Sequence, residues 1–250
     1  MPLTDAPDRL LDRVRKLLAK AESEGVTPAE AQALTGKAAE LMAKYGIDRA
    51  LLAADRPETD RPDNRLLDID RPWAREKAHL LCGLASALRC QCILLTGAQG
   101  SRVHIFGYAS DIDRTDVLYT SVLIQMWHGL AGAVVPEYSS SPRAWRRSWL
   151  LGFSTAVIAR VRQAEQRAVA TADDQGGAET GRAALVLADR SLVIRQQVEQ
   201  AYPVTRTARV TYSGSGYRDG YAQGQRADIG SRRVTKAGGR ALAGAPTPPR

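Results

Sequence analysis

An uncharged stretch, residues 117–135, constrains the fold of this chain more than any other feature. As a helix it would be about 28 Å long, enough to cross a small domain. Because no position in it is charged, we expect neighbouring elements to cover this helix nearly all round. Its length approaches that of a membrane span, but Gln125 and His128 interrupt it, and Asp116 and Glu137 flank it with negative charge. The stretch therefore predicts a buried core helix.

The composition favours a globular, mostly helical protein. Hydrophobic residues occupy 44% of the 250 positions and charged residues 25%, whereas aromatic residues reach only 6%. Alanine and leucine must provide most of the packing, and both favour helices. The predicted fold class is mostly α (α+β), with an N-terminal αα-hairpin, a linker, and a helical domain that contains a small β-hairpin.

Positive charge is concentrated in two segments. Residues 136–172 carry a net charge of +4 and residues 201–250 carry +7, whereas residues 1–135 carry −1 and residues 173–200 carry −2. A polyanion-binding surface needs such segregation. Disordered basic tails show the same pattern, so the charges alone leave both interpretations open.

The cysteine count and the N-terminus predict a cytoplasmic protein. Three cysteines, an odd number, do not indicate a disulfide scaffold. The first ten residues lack the basic and apolar regions of a secretory signal peptide.

Residues 8–46 predict an αα-hairpin. Apolar residues recur with helical spacing in both halves, and Thr27, Pro28 and Glu30 form a typical helix start. Gly46 is expected to end the second helix.

The hairpin resembles the small N-terminal domain family DUF2786. The positions that carry the resemblance are Arg15, Lys16, Leu17, Leu18, Ala19, Ala21, Glu22, Pro28, Glu30, Ala31, Ala38, Leu41, Met42, Lys44, Tyr45, Gly46 and Ile47. The resemblance implies a bacterial or phage protein family of unknown function, and it carries over no catalytic residue.

Composition sets the predicted domain boundaries. Residues 1–52 form the hairpin domain, and residues 53–72, rich in proline and in charges of both signs, form a linker. Residues 73–238 form an α-rich α+β domain, and residues 239–250 form a disordered tail.

Periodicity predicts the elements of the larger domain. Helices are expected at residues 73–88, from Pro142 onward and at residues 182–202, and a β-hairpin at residues 91–96 and 102–108. Ser110 is expected to cap the central helix. Residues 203–212 alternate as a strand would, or are extended. The helix at residues 182–202 is expected to face the core through Leu185, Leu192 and Val193.

The set His79, Cys82, Cys90 and Cys92 is the nearest approach to a metal site. Zinc prefers four nitrogen or sulfur ligands in a tetrahedron, and His79 and Cys82 would share a helix face. Free cysteine, however, is among the most buried residue types. Core packing is therefore the favoured interpretation, and no metal or other cofactor is assigned.

Three other polar or small-residue sets have simple structural explanations. His104 and His128 lack motif partners and are expected to be core or edge histidines. Asp111, Asp113 and Asp116 could hold a divalent cation, but a first helical turn also attracts carboxylates. The glycines at four-residue spacing favour close helix packing over phosphate binding; they are Gly216, Gly220 and Gly224.

Arginines beside tryptophans form the strongest binding candidate. Arg143, Arg146 and Arg147 lie about one turn apart, next to Trp145 and Trp149. Arginine can hold a phosphate while an aromatic ring stacks on a base. Alternatively, the tryptophans pack in the core and the arginines are solvated.

The leading hypothesis is a non-enzymatic, nucleic-acid-associated accessory protein whose basic C-terminal half binds the phosphate backbone. The residues assigned to that contact are Arg143, Arg146, Arg147, Arg226, Arg232, Arg233 and Lys236. Two alternatives are a protein–protein adaptor using residues 8–46 and a small metal-dependent hydrolase using the His/Cys or Asp cluster. No membrane partner is expected.

Overall fold

The structure, a computed structural model, describes residues 16, 28–97, 100–137, 139, 141–175, 181–206 and 214–227, and for residues 28–39 the backbone alone. Its helices are α1 (Pro28–Asp55), α2 (Ala74–Ala87), α3 (Ala109–Ala131), α4 (Pro142–Gln175), α5 (Arg182–Ala201) and α6 (Tyr217–Arg226), with a 3₁₀ turn at Pro57–Thr59. Its strands are β1 (Pro62–Ile69), β2 (Gln91–Gly97) and β3 (Gly100–Tyr108). The predicted mostly α fold with a small β part is confirmed.

The three strands form one antiparallel sheet in the order β1-β3-β2. β2 and β3 are the predicted hairpin, but β1 lies where residues 53–72 were expected to be a linker. That expectation is wrong for residues 62–69, because Leu67 and Ile69 alternate toward a core cluster of the sheet. Pro62 is compatible with the strand because it is the first residue of an edge strand.

Helices cover both faces of the sheet. Val103 and Ile105 of β3 pack with Leu81 of α2. On the opposite face, Phe106 packs with Ile194 of α5. The sheet is therefore a middle layer between α2 and α5.

The largest core cluster surrounds α4. Trp145 and Trp149 of this helix pack with Leu84 of α2 and with Val122 and Met126 of α3, and all five side chains are buried. The rings of Trp149 and its helix neighbour Phe153 stack at 5.5 Å between centroids. This long helix is the scaffold on which the other helices pack.

α3 corresponds to the predicted central helix but is covered on one side only. Val122 and Met126 are buried, whereas Thr120 and His128 are exposed. The prediction that other elements cover this helix all round is wrong. Its exposed face carries polar side chains that are uncharged, so the absence of charge in the sequence did not reveal a solvent-facing side. None of the described helices is long and apolar enough to cross a membrane.

α5 presents a different face to the core from the one predicted. Leu185 is 68% exposed and Leu192 is 50% exposed, while Ala183, Leu187 and Ile194 are buried. The predicted inward set, which also included the 37% exposed Val193, is wrong because a buried arginine, Arg190, lies on the true inner face. A charged residue is normally assigned to the solvent side of a helix.

Gly46 does not end its helix, since α1 continues to Asp55. A Cβ at Gly46 would overlap the guanidinium of Arg114. Gly46 therefore leaves space for the buried Arg114 side chain and does not form a C-cap.

The predicted packing role of the glycine ladder is confirmed. A Cβ at Gly216 would lie 2.5 Å from the Trp145 carbonyl oxygen, and one at Gly224 would lie 2.5 Å from the Phe153 carbonyl oxygen. Gly220 meets the Trp149 carbonyl in the same way. Because both helices advance by four residues together, α6 runs parallel to α4 at backbone contact.

Three predictions concern residues outside the described ranges. They are the first hairpin helix, of which Lys16 alone is described, the strand-like residues 207–212 and the tail at residues 239–250. Residues 203–206, which are described, form no strand.

Candidate functional site

The first turns of α4 carry the predicted arginine–tryptophan set. Ser141 caps the helix by accepting a hydrogen bond from the Ala144 backbone N–H at 3.2 Å. Trp145 and Trp149 are each only 2% exposed, so they cannot stack on a base. Of the two interpretations left open by the sequence, packing of the tryptophans in the core is confirmed, and base stacking by these rings is excluded.

The three arginines of this segment differ in their surroundings. Arg143 is exposed and Arg146 half-buried, and neither forms an ion pair or hydrogen bond with any described residue. Arg147 instead donates from Nε to Oε1 of buried Glu76 at 2.8 Å, joining α4 to α2. Arg147 therefore has a structural task that Arg143 and Arg146 lack.

α6, which packs along α4, carries two further exposed arginines. Arg218 and Arg226 are exposed on α6 and have no ion-pair partner within the described part of the chain. Arg160 of α4 donates to the carbonyl oxygens of Gly224, at 3.1 Å, and of Ala227. That contact caps the C-terminal end of α6.

We use the name α4–α6 ridge for Arg143, Arg146, Arg218 and Arg226. The two helices contain four acidic residues. Glu165 is buried and already paired, Asp173 and Asp174 lie in the last turn of α4, at the far end from Arg143 and Arg146, and Asp219 is exposed on α6. The solvent side of the ridge is therefore cationic. The other three predicted contacts, Arg232, Arg233 and Lys236, lie outside the described residues.

A buried network of charges joins the elements behind this surface. Arg114 of α3, fully buried, donates to Asp111 Oδ1 at 2.9 Å and to Glu165 of α4. Burial alone would lower the Arg114 pKa, but the two carboxylates more than offset it, and the pKa is raised. Arg89 Nη1 lies 2.8 Å from Glu165 Oε2, which adds a second cation to that carboxylate.

Arg190 of α5 completes the network. Its Nη2 donates to Asp60 Oδ2 at 2.7 Å and to Asp111 Oδ2 at 3.2 Å, and its guanidinium lies 3.5 Å from the centroid of the Tyr108 ring. The network thus contains three arginines and three carboxylates, so it is charge-balanced. Such a balanced, enclosed set stabilises an arrangement of elements rather than offering a charge to a ligand.

Asp60 also caps α3, the role predicted for Ser110. Asp60 Oδ1 accepts from the Ser110 backbone N–H at 3.2 Å and Asp60 Oδ2 from its hydroxyl at 2.7 Å. Ser110 itself is not the N-cap, since α3 begins one residue before it. A carboxylate far away in the sequence therefore satisfies the first turn of the helix.

The other aspartates of the acidic set do not surround a cation site. Asp113 and Asp116 each accept from the Arg65 guanidinium at 2.7 Å. The hydrogen bond that Arg65 donates to Asp113 raises the Arg65 pKa despite partial burial. These carboxylates fasten β1 to α3.

The four zinc candidates are not brought together as one set. Cys82 and Cys92 are half-buried, whereas Cys90 is buried and its sulfur lies 3.8 Å from the Thr115 hydroxyl oxygen. Among the described residues no group of three His, Cys, Asp or Glu side chains could hold a metal ion. Burial lowers the pKa of His79 although Glu76 opposes the effect.

The two remaining histidines have ordinary surroundings. His104 lies between the Tyr202 hydroxyl, 2.8 Å from Nδ1, and Asn64 Oδ1, 2.9 Å from Nε2. Burial lowers its pKa. It is a half-buried histidine on the central strand of the sheet and holds the end of α5 on the sheet, whereas His128 is exposed.

Comparison with known proteins finds a similarity in the N-terminal part of the chain. A family model described as "Protein of unknown function (DUF2786)" matches residues 9–49. The resemblance read from the hairpin residues is therefore confirmed. No curated protein and no solved structure matches the chain.

Proposed function

We propose that this chain, which carries a DUF2786 segment at its N-terminus, is a non-enzymatic accessory protein that binds the phosphate backbone of nucleic acid. The α4–α6 ridge and the basic residues Arg232, Arg233 and Lys236 provide the contacts. The observation that carries the proposal is that the ridge arginines have no acidic partner among the described residues.

The arrangement supports contact with phosphates rather than with bases. Arginine guanidinium groups bind phosphate oxygens in a bidentate manner, and paired arginines are less available for this. Arg147 is paired with Glu76 and is therefore not among the proposed phosphate-binding residues. The buried tryptophans provide no stacking surface, so binding is expected to be independent of sequence.

The test is a titration of labelled single- and double-stranded DNA and RNA by fluorescence anisotropy, at low and at physiological salt. We compare the wild-type chain with a ridge variant, in which Arg143, Arg146, Arg218 and Arg226 are all replaced by Gln. Each lost phosphate contact should reduce the steepness of the log K against log salt plot by about 0.9 for duplex DNA. Loss of the ridge should therefore weaken binding at least about tenfold at low salt.

A matched control separates the ridge from net charge. Replacing Arg56, Arg61, Arg75 and Arg195 by Gln removes the same charge from exposed positions on other elements. If this control weakens binding as much as the ridge variant does, the contact is not local and the proposal fails. Binding that ignores salt would also reject it.

The tail residues are tested by ending the chain at residue 227. This truncation removes Arg232, Arg233 and Lys236 but keeps α6, which packs against α4. We expect a further loss of affinity with an unchanged thermal unfolding midpoint. Unchanged affinity would remove the tail residues from the proposed contact.

A further inference from the structure

An exposed aromatic ring lies beside an arginine of the α4–α6 ridge. Tyr217 is the first residue of α6, and its side chain is 38% exposed. The other aromatic side chains in the described part of the chain are buried or half-buried. Arg218 of the ridge follows Tyr217 directly. The helix that carries two of the ridge arginines therefore also presents an aromatic ring to solvent.

Backbone contact with α4 fixes the position of Tyr217. A Cβ at Gly152 would lie 2.1 Å from the Tyr217 carbonyl oxygen and 2.8 Å from the Tyr221 backbone nitrogen, so both residues pack directly on this glycine. One residue earlier, the Gly216 N–H donates to the Ser148 hydroxyl at 2.9 Å. The start of α6 is therefore held in place by the protein itself.

A second ring supports the first. The Tyr217 and Tyr221 rings stack, with their centroids 6.1 Å apart and their planes inclined by 25°. Tyr221 is half-buried, so the supporting ring is the better enclosed of the two. A ring that is already held loses little conformational freedom when a ligand stacks on it, and this favours binding.

The arginine and the two rings are neighbours on the helix surface. Arg218 follows Tyr217 by one residue and precedes Tyr221 by three, and residues three apart on a helix lie side by side. Proteins bind single strands by combining positive charges along the backbone with aromatic rings that stack on bases. Within a duplex, neighbouring bases cover both faces of each internal base, so a ring on a protein surface cannot stack there.

We propose that the ligand of the ridge is single-stranded nucleic acid, with Tyr217 stacking on an unpaired base while Arg218 binds a neighbouring phosphate. This inference rests on the proposed function, because it assigns a class of ligand to the same site. Stacking contacts the face of a base and leaves its hydrogen-bonding edge unread. It is therefore compatible with binding that is independent of sequence.

The first test compares the wild-type chain with Tyr217→Leu, which removes the ring, and with Tyr217→Phe, which keeps it. Anisotropy titrations use a labelled oligothymidylate, an oligouridylate and a DNA duplex of the same length, at one salt concentration. The wild type should bind the single strands more tightly than the duplex. Tyr217→Leu should weaken single-strand binding by about fivefold or more and duplex binding by less than about twofold. Tyr217→Phe should bind all three as the wild type does.

Photochemical cross-linking tests the stacking on the wild-type chain and so does not depend on the folding of a variant. The probe is an oligothymidylate that carries one 5-iodouracil, a base that cross-links to an adjacent aromatic side chain on irradiation. Tryptic peptide 210–218 contains Tyr217, and peptide 219–226 contains Tyr221. The link should be found in the first peptide, at Tyr217, and an excess of unlabelled single strand should abolish it. Links at other residues alone would overturn the inference.

The outcomes separate this inference from the proposed function. If Tyr217→Leu binds single strands as tightly as the wild type does, or if it weakens duplex binding equally, the stacking role is wrong, while salt-dependent binding by the ridge arginines stands. A wild type that binds duplex as tightly as single strands would also overturn the inference. If neither form binds, or if the ridge variant binds like the wild type, the proposed function fails and this inference fails with it.

Discussion

Arg114 illustrates how a single buried charge fixes the identity of its neighbours. Two carboxylates, Asp111 and Glu165, hold its guanidinium from one side. From the other side Gly46 of α1 leaves the space that the guanidinium fills. The arginine cannot move without breaking buried ion pairs, so the glycine cannot be enlarged without cost.

Gly46→Ala should therefore lower the free energy of unfolding by about 1–3 kcal/mol, the range typical of an overpacked core. Urea denaturation followed by circular dichroism measures the change. Gly132→Ala is the control, because a Cβ there would lie an ordinary 3.6 Å from the His128 carbonyl oxygen. It should change stability by less than about 0.5 kcal/mol. Equal effects of the two substitutions would contradict this account of Gly46.

His79 should make stability depend on pH. Burial lowers its pKa in the folded protein, so the unfolded chain takes up the proton first as the pH falls below the ordinary histidine value of 6.5. The free energy of unfolding should then be constant above that pH and decrease below it. Urea unfolding at a series of pH values between neutral and mildly acidic would show the decrease.

His79→Gln should reduce this dependence. His104 also has a lowered pKa, so part of the decrease should remain. His128→Gln, at an exposed position, should keep the full dependence. The interpretation is wrong if the two variants behave alike.

The sequence pattern was least informative about the partners of individual side chains. Asp111 was expected to serve the first turn of its helix, but it binds Arg114 and Arg190. Arg190 lies 79 residues from Asp111 and 130 from Asp60. No local periodicity contains such a pairing, because it depends on which elements pack together.

At the scale of secondary-structure elements, the type of each element was mostly predictable and its orientation was not. The helices α2, α4 and α5 and the β2–β3 hairpin follow from periodicity and turn residues. β1 was missed because it begins with a proline, carries charges of both signs and has few buried residues. The inner face of α5 was missed because a buried arginine lies on it.

The contact between α4 and α6 predicts a local effect of Gly220→Ala. The added Cβ would overlap the Trp149 carbonyl, a backbone atom that cannot turn aside. We expect a loss of about 3 kcal/mol in urea unfolding and faster limited proteolysis within α6. Gln225→Ala, on the exposed face of α6, should alter neither. Unchanged proteolysis in Gly220→Ala would show that the helices do not depend on backbone contact.

The Arg147–Glu76 pair predicts which arginine of α4 matters for stability. Arg147→Gln leaves a buried carboxylate without this partner and should cost about 1–3 kcal/mol, less than for a fully enclosed pair because Arg147 is partly exposed. Arg146→Gln should cost less than about 0.5 kcal/mol. Adding Glu76→Gln to the Arg147 variant should recover part of the loss. Chemical denaturation of the wild type, Arg147→Gln, Glu76→Gln and the double variant measures this cycle, and no recovery would argue against the pair.

For the whole molecule, the charge network predicts cooperative unfolding. It connects α3, α4 and α5 with the segments that contain Asp60 and Arg89. Tryptophan fluorescence and far-ultraviolet circular dichroism should therefore report one coincident urea transition. Arg190→Met leaves Asp60 without its cation and should shift both curves together, by about 3–5 kcal/mol.

The control is Arg195→Met, which removes an exposed charge from the same helix and should shift neither curve by more than about 0.5 kcal/mol. Separate transitions for the two probes would show that the network does not unite the elements.

The sequence separation of the buried ion pairs has a kinetic consequence. Arg114 lies 51 residues from Glu165, and Arg190 lies 130 residues from Asp60. Contacts between such distant positions can form only after the intervening chain has closed into large loops. We therefore expect these ion pairs to form after the transition state of folding. In unfolding they break before the transition state is reached. Substitutions at residues such as Arg190 would then increase the rate of unfolding and leave the rate of folding almost unchanged.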